Sequence, residues 1–123
     1  MIHLDTSFLI RALNPGSAED RKLRGWIEGG QPLAMSAVAW AELLCGPLAP
    51  SEMESVAEFV GQHRDFTPEQ AVMAARLFNE SGRRRGSLVD CMIAASALAD
   101  GASLATANEA DFRRFKTSGL ELT

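Results

Sequence analysis

A chain of 123 residues with 46% hydrophobic and 23% charged residues is sized for one globular domain with a sizeable core. Its formal net charge of −4 argues against a surface given over wholly to nucleic acid. No apolar run approaches a membrane span, and Asp5 breaks the N-terminal run too early for a signal peptide. The expected setting is the cytoplasm, with no membrane. Cys45 and Cys91 are isolated in apolar segments and read as reduced, packed thiols.

Ile2 to Leu4 reads as a short buried strand, and Thr6 to Leu13 as a helix stopped by Asn14-Pro15-Gly16. Ala18 to Glu28 is helical, with Leu23, Trp26 and Ile27 on one face and Gly29-Gly30 as the stop. Leu33 to Met35 is a second strand. Ser36 can cap a helix over Ala37 to Cys45, and Ser51-Glu52-Met53-Glu54 resembles a capping box opening a helix to about Gln62. Arg64 to Phe66 reads as a strand. Thr67-Pro68 opens a helix that frays at Ser81-Gly82. Ser87 can cap a helix from Leu88 to Asp100 that is apolar on nearly every face and so central. A strand over Ser103 to Ala105, a short helix over Glu109 to Phe115 and a strand over Leu120 to Leu122 complete the chain. Strands alternating with helices indicate one α/β domain over 1–123, a short, mostly parallel sheet flanked by helices in three layers.

Four acids stand at the edges of apolar segments: Asp5, Glu42, Asp90 and Asp111. Carboxylates are seldom buried unless paired, hydrogen-bonded or bound to a cation. Clustered carboxylates without His or Cys are hard oxygen ligands suited to Mg²⁺ or Mn²⁺. In a parallel sheet, ligands bind beyond the carboxyl ends of the strands, where Asp5, Asn108 and Asp111 lie. Each of three acids also has a capping alternative. Asp5 could cap the first helix, Asp90 could complete a box with Ser87, and Asp111 could do so with Asn108. Glu42 is more than one turn past Ser36, too deep to cap anything.

Thr6, Ser7, Thr106 and Asn108 flank the acids and can orient carboxylates or ion-bound water. Plain turn chemistry would also use these residue types. Arg83-Arg84-Arg85 and the group Arg113, Arg114, Lys116 are basic runs near candidate carboxylates. Either can hold phosphates or be a solvated helix end. There is no Gly-rich phosphate loop, no dinucleotide fingerprint, no nucleophile elbow, and no zinc spacing around His3 or His63. His3 reads as a packed histidine.

Four segments together resemble the PIN-domain ribonucleases, and among them the VapC toxins. They are Ile2-His3-Leu4-Asp5-Thr6-Ser7, Ala41-Glu42-Leu43-Leu44-Cys45-Gly46, Val89-Asp90-Cys91-Met92-Ile93-Ala94-Ala95, and Thr106-Ala107-Asn108-Glu109-Ala110-Asp111-Phe112. The resemblance implies metal-dependent endonucleolytic cleavage of RNA, with Asp5, Glu42 and Asp90 in the acidic quartet. It puts the fourth position at Asn108 or Asp111, with Asp111 favoured because it is charged. Metal ligands would be Asp5, Asp90 and Asp111, and Arg83, Arg84 and Arg85 would hold substrate phosphates. It further implies a cognate antitoxin and a homodimer. Trp40, Leu44, Met53, Val56, Phe59 and Val60 offer apolar surface for an antitoxin helix, or else for the core. A phosphoacceptor receiver domain fits less well, since Asp5 lacks a paired acid and the only Lys residues are Lys22 and Lys116. Asp5-Thr6-Ser7 also lacks the second Asp of haloacid-dehalogenase phosphatases. A non-catalytic binding module of the same fold is the remaining alternative.

Overall fold

Three of four strands are buried along nearly their whole length, so they read as short, largely apolar segments with no solvent-facing charged residue. A computed structural model describes all 123 residues. Strands β1 (Ile2–Leu4), β2 (Leu33–Ser36), β3 (Gln62–Arg64) and β4 (Ser103–Ala105) form one parallel sheet in the order β3-β2-β1-β4. Ile2 pairs with Leu33 on one side and Ser103 on the other. Seven α-helices flank the sheet in a three-layer α/β arrangement: α1 (Thr6–Ala12), α2 (Ala18–Glu28), α3 (Ala37–Leu44), α4 (Pro50–Phe59), α5 (Pro68–Glu80), α6 (Leu88–Ala99) and α7 (Glu109–Phe112). A 3-10 helix over Arg113–Ser118 follows. No helix is long and apolar enough to cross a membrane.

Helix α6 is the central helix, as its composition predicts. Cys91, Ile93, Ala94, Ala95, Ser96 and Ala97 are all buried. Small side chains let α5 approach closely, and the buried Ser96 hydroxyl is satisfied by donating to Gln70 Oε1 at 2.9 Å. The N-caps Ser17, Ser36 and Thr67 each accept a backbone N–H as their residue types predict.

The departures have local causes. Helix α4 starts two residues earlier than its Ser51 pattern suggests, because Pro50 fits the first helical position and Glu52 accepts the Ala49 N–H at 2.9 Å. It ends at Phe59, and β3 starts at Gln62 rather than Arg64. An exposed edge strand of sequence Gln-His-Arg has no apolar run to mark it. Leu120 to Leu122 contributes one bridge, Leu104 to Leu122, rather than a full strand. The final helix changes to 3-10 geometry after Phe112, ending at Gly119 with φ 102°. Cys91 is buried as expected, but Cys45 is exposed, since the α3 end carries it out of the core. Of the apolar surface on α3 and α4, Val56 and Val60 go into the core, while Leu44 stays exposed.

His3 is a packed histidine, 1% exposed in β1. It donates from Nε2 to Asp100 Oδ2 at 2.7 Å, and Arg64 donates to both Asp100 oxygens at 2.9 Å. This network ties β1, β3 and the end of α6 together. Burial alone would raise the Asp100 carboxyl, but hydrogen bonds from Arg64 and His3 outweigh it and hold the group below its usual value. Asp100→Ala leaves a buried imidazole with no acceptor. We expect it to cost about 2–4 kcal/mol of unfolding free energy at neutral pH, read by urea denaturation. A change near zero would mean the network is solvated and inconsequential.

Candidate functional site

Parallel pairing sends the ends of β1, β2 and β4 to the same edge, and each continues into a site element. Asp5 directly follows β1, and its N–H extends the ladder to Ala105 O at 2.9 Å. It occupies the N-cap position of α1 with extended backbone, yet its side chain makes no cap bond. Instead, Oδ2 accepts hydrogens from Ser7 Oγ at 2.7 Å and Thr106 Oγ1 at 2.8 Å. Ala107 N–H donates to Ser7 Oγ at 3.1 Å, and Asn108 N–H to Thr106 Oγ1 at 3.0 Å. Both hydroxyls thus give their one hydrogen to Asp5 and accept from the loop after β4. Oδ1 takes no hydrogen bond. Asp5 is 5% exposed, so this bracing offsets much of the cost of burying it.

Helix α3 leaves β2 through its cap Ser36, whose hydroxyl accepts the Ala39 N–H at 3.1 Å. Thr6 donates to Ala39 O at 2.9 Å, so it fixes α3 against α1, and its hydroxyl also lies close enough to the Glu42 carboxyl to favour its charged form. This places Glu42 across from Asp5. Partial burial pushes the Glu42 carboxyl up, and the charges of Asp5 and Asp90 push it further.

Asp90 lies in the first turn of α6, half-buried. Ser87 does not cap this helix with its side chain. Its hydroxyl donates back to Arg84 O at 2.6 Å. Asp90 is therefore not half of a capping box. Its carboxyl is raised to about 6, first by desolvation, then by Asp5 and Asp111, with Arg114 and Arg84 opposing. Asn108 likewise makes no side-chain cap to α7, so Asp111 is not its cap partner.

Asp5, Thr6, Ser7, Ile10, Glu42, Asp90 and Asn108 line one cleft of about 220 Å³. Asp111, favoured from sequence for the fourth position, is half-buried outside this wall and acts on Asp90 by charge. Asn108 takes the fourth side. No three acidic, His or Cys side chains stand close enough together to form a metal-binding group in this conformation. Arg83, Arg84 and Arg85 are exposed on the loop between α5 and α6. Arg83, at φ 53°, donates to Asn79 Oδ1 and lies 5.6 Å from the Phe78 ring. Arg84 and Arg85 make no side-chain hydrogen bond. Arg84 is near enough to Asp90 to favour its charged form.

Two contributors went unassigned in the sequence. Ile10 supplies the apolar wall, and its signal was its place one turn beyond Thr6 and Ser7. Arg114 sits three residues after Asp111, and only its folded position separates it from its exposed neighbour Arg113.

The family model of the PIN domain matches residues 2–117. The chain belongs to the PIN-domain family. No curated protein matches it in sequence. Among solved structures, this PIN domain is similar to a chain of VapBC2 from Rickettsia felis, described as bound to a DNA fragment from their promoter. The two superpose with TM-score 0.78 at 23% identity, covering 100% of this chain and 98% of that one. It is also similar to a toxin–antitoxin complex from Klebsiella pneumoniae (TM-score 0.72, 21% identity, 91% and 90% covered). A third likeness is VapC20 of Mycobacterium tuberculosis, described as a sarcin–ricin loop cleaving toxin (TM-score 0.70, 17% identity, 100% and 98% covered). At these identities the likeness is one of fold.

The raised Asp90 gives this PIN domain a pH signature. Between about pH 4 and 6 the folded chain holds a proton on Asp90 that the unfolded chain has lost. Its contribution to stability therefore falls as pH rises through that window, by about 1–2 kcal/mol once solvent screening of a half-buried group is allowed for. Asp90→Asn removes the effect. We expect the variant to be the more stable protein at pH 7 and the gap to close towards pH 4, read from urea midpoints. A gap independent of pH would show an unperturbed carboxyl.

Proposed function

We propose that this PIN domain is a divalent-cation-dependent endoribonuclease and the toxin half of a toxin–antitoxin pair. The observation that carries the reading is the convergence of Asp5, Glu42 and Asp90 on one cleft at the carboxyl edge of the sheet, where like charges press on one another. Structural metal-free roles for these acids, as helix caps, are not in use.

By chemical type the donors suit a hard cation such as Mg²⁺ or Mn²⁺, which would draw together the carboxylate oxygens of Asp5 and Asp90, with Glu42 and the Asn108 amide at the rim. Once bound, such an ion polarises a phosphodiester and makes water a stronger acid. The chain does the rest. Ser7 and Thr106 pin Asp5 Oδ2 and leave Oδ1 for the cleft. Glu42, held above its usual pKa, is placed to take a proton from an attacking water. Ile10 gives the cleft a dry wall. Arg84 and Arg85, free of side-chain partners, hold flanking phosphates and offset the repulsion between an acidic cleft and a polyanion. Asp111 acts through its charge on Asp90. The products would carry 5′-phosphate and 3′-hydroxyl ends.

An antitoxin partner is supported by the similar structures, several of which are toxin–antitoxin complexes. An antitoxin Arg entering the cleft would compete with the cation for the same carboxylates. Exposed Val72, Leu88 and Val89 offer apolar area for self-association as a dimer.

Purified protein should cut RNA with Mg²⁺ or Mn²⁺ and stop when chelated. Asp5→Asn and Asp90→Asn should each lower the rate by at least about 10²-fold while keeping the fold, and Glu42→Gln should lower it more than Glu80→Gln. Wild-type cleavage by Asp90→Asn, in preparations free of contaminating nuclease, would sink the reading.

Arg84→Ala with Arg85→Ala should weaken RNA binding and flatten its salt dependence, by about 0.7 in log–log slope for each lost phosphate contact to a single strand. The slope of log affinity against log salt is the measurement, and an unchanged slope would leave the run as a solvated loop.

A further inference from the structure

Arg83 is the one residue other than glycine in the chain with a positive φ, at 53°. The left-handed region costs an L side chain energy, and an exposed loop relaxes out of it unless something holds it there. Three contacts hold Arg83. Its backbone N–H donates to Phe78 O at 3.0 Å. Its guanidinium donates to Asn79 Oδ1 and stands 5.6 Å from the centroid of the Phe78 ring. The side chain is therefore folded back on the last turn of α5, directly after Gly82 at φ 91°. The far end of the loop is fixed as well. The Ser87 N–H and hydroxyl both donate to Arg84 O, at 3.1 and 2.6 Å, and Ser87 is buried just before α6 begins. Arg84 and Arg85 stand between these two anchors, exposed and with no side-chain hydrogen bond. Helix α6 carries Asp90 in its first turn, so the loop adjoins the cleft.

We propose that Arg83 is a positioning residue, whose latch on Asn79 and Phe78 presents Arg84 and Arg85 to RNA as a preset pair, a role that rests on the reading of Arg84 and Arg85 as phosphate contacts. A loop running from Gly82 to Gly86 would otherwise sample many shapes, and each side chain ordered on binding costs affinity. Fixed at both ends, the loop is ordered during folding instead. The chain's net charge of −4 makes this matter, because little general attraction draws a polyanion to it. The latch acceptor is a neutral amide, so it leaves the positive charge of the run undiminished, where a carboxylate would cancel part of it. The run thus divides into one arginine that shapes the loop and two that the loop displays.

The measurement is binding of a fluorescein-labelled single-stranded RNA, read by anisotropy with chelator present so that nothing is cut, and with the melting temperature as a check of fold. Asn79→Ala removes the acceptor but no charge. It should weaken binding roughly three- to tenfold and leave the slope of log affinity against log salt at its wild-type value. Arg83→Gln should weaken binding with the slope again unchanged. With Arg84→Ala and Arg85→Ala already in place, Asn79→Ala should have no further effect. Wild-type affinity in Asn79→Ala would overturn the proposal. So would a slope lowered by about 0.7 in Arg83→Gln, which makes Arg83 a phosphate contact in its own right. An Asn79→Ala penalty that persists without Arg84 and Arg85 would overturn it too, since the effect would not run through the pair. Wild type that binds no RNA, or Arg84→Ala with Arg85→Ala that binds it equally well, would overturn this proposal together with the phosphate reading beneath it.

Discussion

The rest of the site depends on crowding of like charges at one edge of the sheet. Asp5, Glu42 and Asp90 share a cleft; burial pushes up the carboxyls of Glu42 and Asp90, and so does the charge of Asp5, with Asp90 acting further on Glu42 and Asp111 on Asp90. Water would normally screen such a cluster, but partial burial removes that screening and makes the repulsion matter. Every neighbouring feature answers it. Ser7 and Thr106 each spend their hydrogen on Asp5, and Arg114 and Arg84 add opposite charge beside Asp90.

The scaffold tolerates this because its stability comes from elsewhere. The core is a continuous cluster running from Ile2 and Leu4 through α6 to Phe112, Phe115 and Leu120. At the other end of α6 from Asp90, the His3–Asp100–Arg64 network brings opposite charges together and holds the Asp100 carboxyl below its usual value. One group of charges therefore stabilises the fold, and the other is held in place by it. Asp90 and Asp100 stand at opposite ends of α6, and only their surroundings make one carboxyl a weak acid and the other a strong one.

The capping alternatives show why local pattern was insufficient. Ser87 with Asp90 and Asn108 with Asp111 both have the spacing of a capping box, yet neither box forms. Ser87 donates to Arg84 O because the tight loop between Gly82 and Gly86 brings that carbonyl within reach. Asn108 gives its N–H to Thr106, whose hydroxyl is already turned toward Asp5. In both cases a tertiary or loop contact outcompetes the local one, and the acid is left to face the cleft or its neighbour.

The sequence by itself determined the α/β class, the extents of the buried strands and most helices, and the identity of three cleft acids, because burial leaves short, largely apolar runs in which an acid stands out. The exposed edge strand Gln62–Arg64 left no such run and was misplaced by two residues. That Asn108 lines the cleft while Asp111 stands outside its wall was decided only in three dimensions, because the two are three residues apart, one before α7 and one within it, and no local pattern separates them. Arg114 was legible as a charge but not as a half-buried one. Its partial burial depends on Phe115 beside it and on Cys91 of α6, and the contact with Cys91 arises only when α6 and the final helix fold against each other.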